Sequence, residues 1–376
     1  MLNLERLDRI YSLDEITLIP KAKTDIKSRA DINPFDENGK LPLFVSPMTC
    51  LLDVDNYDTF NRKTYAVLPV FSDPGYLFNA RNLSNGWFAV TLEMFRRMVE
   101  GRGEVSEVDR KEYFICIDTA NGHMEDIYEL VPKFKEYHPN AKIMVGNIAN
   151  SRTYEIACNA SVDYVRVGIG GGSGCLTSAI TGMHYGLVNL LSEICSIREL
   201  REGCGNHKFV AKVVADGGID TMAKAIKCIA LGADYVMMGK MFAMCEESRG
   251  RKCYAKKMIN SYGELDYDIL NFDDDADYRA YCLRESVPVH DYTRVTTYYG
   301  QSSVEGQLDR FGCVKSEPEG CKVFLPVKHT YMGFCSKFEA ALRSAMSYNG
   351  SRSLSNFREW TNVCLQSISE FNSYNK

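Results

Sequence analysis

The sequence lacks an excess of basic residues and any long apolar run. Its 44 Lys and Arg are outnumbered by 49 Asp and Glu, so the formal net charge of the 376 residues is −5. Proteins that bind nucleic acid non-specifically need basic residues to neutralise phosphates, so this balance argues against nucleic acid as the main partner. No apolar stretch approaches the roughly 18 residues of a membrane span. The N-terminus carries early acidic residues instead of the basic-then-apolar layout of a signal peptide, so we expect a cytoplasmic protein.

Zinc-ligand spacing is also missing from the sequence. The 14 cysteines contain no pair at Cys-x-x-Cys spacing and have no accompanying histidine cluster. Structural zinc and a disulfide framework are therefore not expected, and most of the cysteines are predicted to be small buried apolar residues. Cys175 differs from the rest because it follows a glycine-rich stretch whose amides would stabilise a thiolate.

That glycine-rich stretch runs from Val167 to Thr177 and places five glycines among the seven residues after Val167. Glycine at this density lets main-chain amides and carbonyls point inward, which suits a site that binds an ion or a phosphate through its backbone. A flexible turn is the alternative interpretation. In the first case Cys175 is the candidate nucleophile.

Short β-rich runs alternate with helical patterns over the first 240 residues or so. Alternation of this kind predicts a parallel sheet, and eight units suit a closed (β/α)8 TIM barrel, with an open doubly wound sheet as the alternative. The predicted strands are Leu43 to Ser46, Tyr65 to Val70, Trp87 to Thr91, Tyr113 to Asp118, Lys142 to Gly146, Asp163 to Gly168, Phe209 to Asp216 and Asp234 to Gly239. The clearest predicted helices are Glu125 to Tyr137, Thr153 to Asn159, Leu187 to Arg201 and Thr221 to Leu231.

Polar residues and glycines follow the predicted strands where each one ends. In a barrel these ends share one rim, where active sites lie. The turn Asp216-Gly217-Gly218 and Gly239, after the last two strands, fit the phosphate site that barrels build from the amides of adjacent loops. Glycine and asparagine that merely form turns would explain any one of these positions, but not the acids, the cysteine and the glycines together.

The alternation of predicted strands and helices stops after the eighth strand. We predict one catalytic domain over residues 1–376, with an extended segment at 244–298 and a mobile flap at 300–326. Helical spacing near the C-terminus predicts closing helices within residues 329–373.

The motifs resemble those of the IMP dehydrogenase and GMP reductase family, from about Leu13 to Phe357. Residues 168–177 are similar to the family's Gly-x-Gly-x-Gly-Ser-x-Cys-x-Thr signature. Supporting matches are Ser46-Pro47-Met48, Ala215-Asp216-Gly217-Gly218, Val236-Met237-Met238-Gly239 and Tyr299-Gly300-Gln301-Ser302.

Three features favour the GMP reductase branch. There is no room between Val70 and Trp87 for the CBS-domain insertion that the resemblance to a dehydrogenase would imply. Residues 116–122 and 181–186 look like the reductase versions of their loops, and Arg310 is followed by Phe311 where a dehydrogenase would have an Arg-Tyr pair. The alternatives are an IMP dehydrogenase-like enzyme, or one acting on a modified purine nucleotide, and a non-catalytic paralogue that binds purine nucleotide.

The resemblance implies a role for each matched residue. Cys175 would attack C2 of the purine to give a covalent thioimidate, and Thr177 with Glu319 would move protons to the departing ammonia. The implied substrate-binding residues are Ser46, Met48, Asp216, Gly217, Gly218, Gly239, Lys240, Tyr299, Gly300, Gln301, Ser302 and Gly320.

The resemblance also implies NADPH as cofactor, or NAD in the dehydrogenase alternative, together with a potassium ion and a homotetramer. Main-chain carbonyls of Gly170, Gly172 and Cys175 would hold the potassium. The implied cofactor-binding residues are Ser28, Arg29, Asp118, Thr119, Ala120, Asn121, Gly122, Ile169, Gly170, Ser344 and Ser347, of which Ser28, Arg29, Ser344 and Ser347 would act from a neighbouring subunit.

The chain departs from the family pattern at several positions near the expected ligands. Phe71-Ser72-Asp73 replaces a basic cluster, Gln301 replaces a Met beside the purine, and Lys240 replaces a small residue beside the phosphate. These changes predict a divergent enzyme with altered purine or cofactor selectivity.

Overall fold

The computed structural model describes residues 9–73, 75–76, 86–101, 112–172, 176–203, 209–259, 265–272 and 274–367. Cys175, with Ser173 and Gly174, lies outside the described residues, as does the span 368–376. Within the described residues no helix is both long and apolar enough to cross a membrane.

Eight parallel strands close into a barrel in the order β2-β3-β4-β5-β6-β7-β8-β9. Closure is made by β2 and β9, where Leu43 pairs with Val236. The predicted (β/α)8 barrel is confirmed and the open-sheet alternative is wrong. The strands are β2 Leu43–Val45, β3 Tyr65–Leu68, β4 Trp87–Val90, β5 Phe114–Asp118, β6 Lys142–Ile148, β7 Tyr164–Val167, β8 Lys212–Asp216 and β9 Tyr235–Met238.

Helices lie between the strands, where the 3.6-residue apolar period predicts them. Glu125–Tyr137 forms as predicted, whereas the other three differ from the prediction by one or two residues at their ends. The described helices of the barrel are α1 Tyr57–Phe60, α2 Leu92–Val99, α3 Glu125–Tyr137, α4 Ser151–Asn159, α5 Thr177–Thr181, α6 Leu187–Gly203, α7 Met222–Ala230 and α8 Lys240–Ala243.

The segment after the barrel is not an irregular extension but part of a second sheet. Strands β10 Lys252–Ile259, β11 Leu265–Leu270, β12 Thr293–Tyr299 and β13 Lys322–Pro326 form an antiparallel sheet in the order β11-β10-β12-β13. Helix α9, Asp275–Arg284, packs on it through a stack of Tyr278 on Tyr254, with ring centroids 3.8 Å apart. Since β12 ends at Tyr299 and β13 begins at Lys322, this sheet holds both ends of the predicted flap.

The flap contains regular structure of its own. Helix α10, Val304–Phe311, begins at Ser303, whose side chain accepts a hydrogen bond from the Gly306 amide, and ends at Gly312. The Gln307 side chain accepts hydrogen bonds from the amides of Lys315 and Ser316 and so folds the following turn back onto the helix. The mobility of the flap stays a prediction.

Two helices and one strand close the described chain. Helices α11 Tyr331–Asn349 and α12 Leu354–Trp360 lie where closing helices are predicted. The prediction of helix is wrong for Asn362–Leu365, which is strand β14. This strand pairs antiparallel with β1, Ile16–Ile19, so a partner some 340 residues earlier in the sequence decides its structure.

Candidate active site

A cavity of about 240 Å³ opens at the carboxyl ends of the barrel strands. Most of the residues predicted for substrate and catalysis line it, together with part of the cofactor set. The predicted residues in its wall are Ser46, Met48, Asp118, Thr119, Ala120, Ile169, Gly170, Gly172, Thr177, Asp216, Gly217, Gly218, Gly239, Lys240, Gly300, Gln301, Ser302 and Glu319. Tyr299, Gly320, Asn121 and Gly122 flank the wall in the sequence without being part of it.

Thr177 and Glu319, which are 142 positions apart, meet at this cavity. The Thr177 hydroxyl donates a hydrogen bond to Glu319 Oε2 at 2.7 Å. The Glu319 backbone is held on both sides, because its carbonyl accepts from the Leu176 amide at 2.7 Å and its own amide donates to the Ser302 carbonyl at 3.1 Å. The flap carboxylate is therefore fixed against the residues that follow Cys175, where a hydroxyl and a carboxylate together can transfer a proton.

The described part of the glycine-rich loop, residues 168–172, is packed tightly and is not a free turn. Gly168 has φ of +124°, and a Cβ there would lie 2.0 Å from the carbonyl oxygen of Asp216. A Cβ on Gly218 would lie 2.8 Å from the carbonyl oxygen of Gly171. Only glycine fits such contacts, so the loop after β7 and the turn after β8 form one continuous backbone surface.

The structure describes two of the three carbonyls expected to hold potassium, and Cys175 lies outside the described residues. The Gly170 carbonyl accepts a hydrogen bond from the Ser178 hydroxyl at 3.0 Å. A carbonyl oxygen has two lone pairs, so one remains for a cation. Within the described ranges no cluster of three His, Cys, Asp or Glu side chains could bind a metal ion.

A buried arginine that the sequence analysis missed organises the floor of the cavity. Arg166 of β7 pairs with Asp118 Oδ1 at 2.7 Å and with Asp216 Oδ2 at 2.9 Å. The Asn147 side chain donates to the same Asp216 oxygen at 2.9 Å. A Cβ on Gly146 would lie 2.4 Å from the Arg166 Cβ, so this glycine provides the room for the arginine. The one signal in the sequence was a lone arginine in the otherwise apolar run Tyr-Val-Arg-Val.

A second missed arginine joins the flap to this floor. Arg310 of α10 pairs with Asp118 Oδ2 at 2.9 Å and donates to the Asp118 carbonyl at 3.1 Å. Burial raises the pKa of the Asp118 carboxyl, but the charges of Arg310 and Arg166 outweigh burial and leave that pKa below its ordinary value. Asp118 was expected to face the cofactor. It lines the cavity, but both its carboxylate oxygens are engaged by arginines.

The opposite end of the cavity carries lysines. Lys240 lies 3.2 Å from Asp220, which also pairs with Lys224 at 3.1 Å. Burial raises the pKa of Asp220, but the hydrogen bonds and charges of the two lysines outweigh burial. The pKa of Asp220 is therefore below its ordinary value. Lys240 thus brings a positive charge to the glycine turns that were predicted to bind phosphate.

Four of the predicted cofactor residues lie away from the cavity wall. Ser28 caps the short 3-10 helix Arg29–Asp31, and Arg343 donates to the Arg29 carbonyl at 3.3 Å. Ser344 and Ser347 lie on α11, beside Arg343. The structure brings these residues together in a separate cluster, and their action on a neighbouring subunit's site stays a prediction.

The fold and this cavity define an α/β-barrel protein with a hydrogen-bonded hydroxyl and carboxylate and closely packed glycine turns at the carboxyl rim. Residues 104–279 match the model of the IMP dehydrogenase / GMP reductase domain. The chain is 26% identical over 358 residues to a GMP reductase of Staphylococcus carnosus (strain TM300), an alignment that covers 93% of this chain and 95% of that protein. Residues 104–279 are just under half of the chain, and over them the chain is similar to the IMP dehydrogenase / GMP reductase family.

Two further relatives are similar over shorter lengths. A GMP reductase of Escherichia coli (strain SMS-3-5 / SECEC) is 30% identical over 243 residues, which cover 64% of this chain and 58% of that protein. An inosine-5'-monophosphate dehydrogenase of Aquifex aeolicus (strain VF5) is 27% identical over 252 residues, which cover 65% of this chain and 43% of that protein. The relatives of this chain therefore include proteins named GMP reductase and a protein named inosine-5'-monophosphate dehydrogenase.

Proposed function

We propose that this protein is an NADPH-dependent oxidoreductase that converts GMP to IMP and ammonia. The observation that carries the proposal is the 2.7 Å hydrogen bond between Thr177 and Glu319. An amino group is a poor leaving group unless it is protonated, so a deamination needs a proton-transfer pair close to the nucleophile. The match to the IMP dehydrogenase / GMP reductase domain and the relatives named GMP reductase support the same reaction.

The covalent steps would use Cys175 as nucleophile. Its thiolate attacks C2 of the purine, the C2–N bond breaks as Thr177 and Glu319 deliver a proton to the departing ammonia, and a thioimidate results. Bound NADPH supplies a hydride to C2. The C–S bond then breaks and the thiolate leaves, so IMP is released and Cys175 is regenerated.

The remaining residues would bind the nucleotide without reacting. We assign the phosphate to the backbone at Gly218, Gly239 and Ser302, with charge from Lys240. Asp216 would accept a hydrogen bond from the ribose through the oxygen that does not face Arg166. Met48 would pack on the base. Its side chain lies close to Gly239, because a Cβ placed on that glycine would be 2.9 Å from the Met48 sulfur.

A second candidate is oxidation of IMP, or of a modified purine nucleotide, with NAD. It is favoured by Arg310, whose guanidinium lines the cavity beside the proposed reaction site. That reaction would require a water molecule to hydrolyse the thioimidate, which a cation and a carboxylate at the flap could orient. A protein that only binds the nucleotide is the third candidate.

A spectrophotometric assay with potassium present distinguishes these candidates. One cuvette holds the protein with GMP and NADPH and the other holds it with IMP and NAD, and the near-ultraviolet absorbance of the reduced nicotinamide is followed in both. A fall with GMP that disappears in Cys175→Ala supports the proposal. A rise with IMP establishes the dehydrogenase reaction. No change in either cuvette, with GMP still bound, rejects both reactions and leaves the binder or an enzyme for a different purine or cofactor.

We further propose potassium dependence, a homotetramer and a cytoplasmic location. Replacing potassium with sodium or lithium should lower turnover, because the larger ion suits a ring of main-chain carbonyls. Light scattering of the purified protein measures its mass in solution, and a monomer would contradict the assignment of Ser28 and Ser344 to a neighbouring site.

A further inference from the structure

The Gln301 side chain carries a buried oxygen with no partner among the described residues. Gln301 lines the cavity, and its side-chain nitrogen donates a hydrogen bond to the Pro47 carbonyl. A carbonyl oxygen can only accept, so this contact fixes which end of the carboxamide is nitrogen. The Gln301 Oε1 therefore points away from Pro47, where it is buried without a hydrogen bond within the described chain.

The position of this oxygen is set by the surrounding backbone. A Cβ on Gly306 would lie 2.7 Å from the Gln301 carbonyl oxygen, so helix α10 packs directly on the loop. The Ser303 amide donates to the Gly300 carbonyl at 3.1 Å, and the Ser302 carbonyl accepts from Glu319. Gln301 is thus part of the same rigid unit as the flap carboxylate.

Buried acceptors in proteins nearly always have a donor, so an unpaired one on a residue of the cavity wall is a candidate to accept from a bound ligand. Pro47, which fixes the amide, is followed by Met48, to which we assigned the base. The unpaired oxygen therefore lies at the base end of the nucleotide, an assignment that rests on the proposed function.

We propose that Gln301 is a specificity-determining residue whose Oε1 accepts a hydrogen bond from an N–H group of the purine base. A base with such a donor completes the carboxamide, whereas a base that presents a lone pair or a methyl group there leaves the oxygen unpaired and desolvated. The site would therefore select among purine nucleoside monophosphates by the hydrogens on the base edge.

The test is a binding comparison of ligand pairs that differ by one donor, made without nicotinamide so that no turnover occurs. GMP against IMP tests the 2-amino group, IMP against 1-methyl-IMP tests the ring N–H, and the 2,6-diaminopurine against the 2-aminopurine ribonucleoside monophosphate tests the 6-amino group. Dissociation constants are measured by calorimetry for the wild type and for Gln301→Met, which keeps the side-chain length and removes both polar ends.

In the wild type at least one pair should differ by about tenfold or more, the value of one hydrogen bond to an otherwise unpaired buried acceptor. In Gln301→Met that ratio should fall to about threefold or less. Equal ratios in the two proteins for all three pairs would overturn the proposal. If Gln301→Met fails to fold, the dissociation-constant ratios of the wild type decide alone. Ratios below about threefold in every ligand pair would then overturn the proposal, because no donor on the base would matter for binding.

These binding measurements, taken together with the spectrophotometric assay of turnover, separate this inference from the proposed function. Donor-dependent binding without turnover of GMP or IMP would keep the role of Gln301 and reject the reaction. Turnover of GMP with a uniform loss of affinity in Gln301→Met would keep the reaction and reject the role of Gln301. No binding of any of these nucleotides to the wild type would reject both.

Discussion

The ion pair between Arg310 and Asp118 should be the contact that holds helix α10 on the barrel. Its two side chains are only 12% and 10% exposed, and the charged atoms are 2.9 Å apart. The perturbation is a double-mutant cycle of Arg310→Met, Asp118→Asn and the combined variant. This cycle isolates the pairwise energy from the separate effects of each change.

The expected coupling follows from the surroundings of the pair. A hydrogen bond to a charged group contributes about 1.5 to 3 kcal/mol, and removing one partner of a fully buried ion pair costs about 3 to 5 kcal/mol. Asp118 keeps Arg166 when Arg310 is removed, so its charge stays partly compensated. We therefore expect a coupling of about 2 kcal/mol, toward the lower end of these ranges.

Urea unfolding of the four proteins measures the coupling, and hydrogen exchange of α10 locates it. Amides of residues 304–311 should lose protection in Arg310→Met while those of the barrel strands keep it. The control is Arg97→Met, which breaks an exposed pair with Glu93 at the same kind of distance and should leave the unfolding midpoint unchanged. A coupling under about 0.5 kcal/mol, or equal loss of protection over the whole barrel, would refute this account.

Three further predictions concern the site and its support. Thr177→Val should lower turnover by about 10²- to 10⁴-fold with little change in nucleotide affinity, because it removes the hydroxyl of the proton-transfer pair; parallel loss of affinity would contradict that role. Gly168→Ala should give little soluble protein, since its Cβ would overlap a carbonyl oxygen, whereas Gly203→Ala, with no atom within 4 Å of its Cβ, should express normally. The pKa of Asp118 is lower in the folded protein than in the unfolded chain. The ionised carboxylate therefore stabilises the fold at any pH above the unfolded pKa. This stabilisation is lost as the pH falls through the lower pKa of the folded protein. Protection of α10 should therefore persist down to about pH 4 and fall below it; loss already at neutral pH would contradict the assignment.

The barrel was predictable because its strands are buried on both faces. Runs such as Tyr65–Leu68 and Tyr235–Met238 are almost continuously apolar and end in glycine or polar turns, which is a local signal. Strands β10 to β13 were not predicted, because they are half exposed and because β12 pairs with β10 and β13, both of which are distant from it in the sequence. Strand β14 was assigned to a helix for the same reason, since only its pairing with β1 distinguishes it.

The sequence predicted the site residues that belong to recognised motifs, but it did not predict the residues that act through buried ion pairs. Thr177 was predicted from the glycine-rich motif and Glu319 from the flap. The structure places the two side chains within hydrogen-bonding distance. Arg166 carries no motif, and Arg310 was noted only for the residue that follows it. Their importance comes from sharing Asp118, which depends on the closure of the barrel and on the path of the flap, and a single sequence shows neither.

Among the contacts that join the flap to the barrel rim, three differ in kind. Arg310 pairs with Asp118, Glu319 bonds to Thr177 and Leu176, and the Gln301 side chain bonds to Pro47. Both ends of the flap are fixed by the direct pairing of Tyr299 with Lys322 in the second sheet. Because the ends are paired, a flap that opened would break the charged pair, the Thr177–Glu319 hydrogen bond and the Gln301 contact together. Closure of such a flap would assemble the proposed chemistry and the proposed recognition of the base in one step, and a substitution in any one contact should weaken the other two.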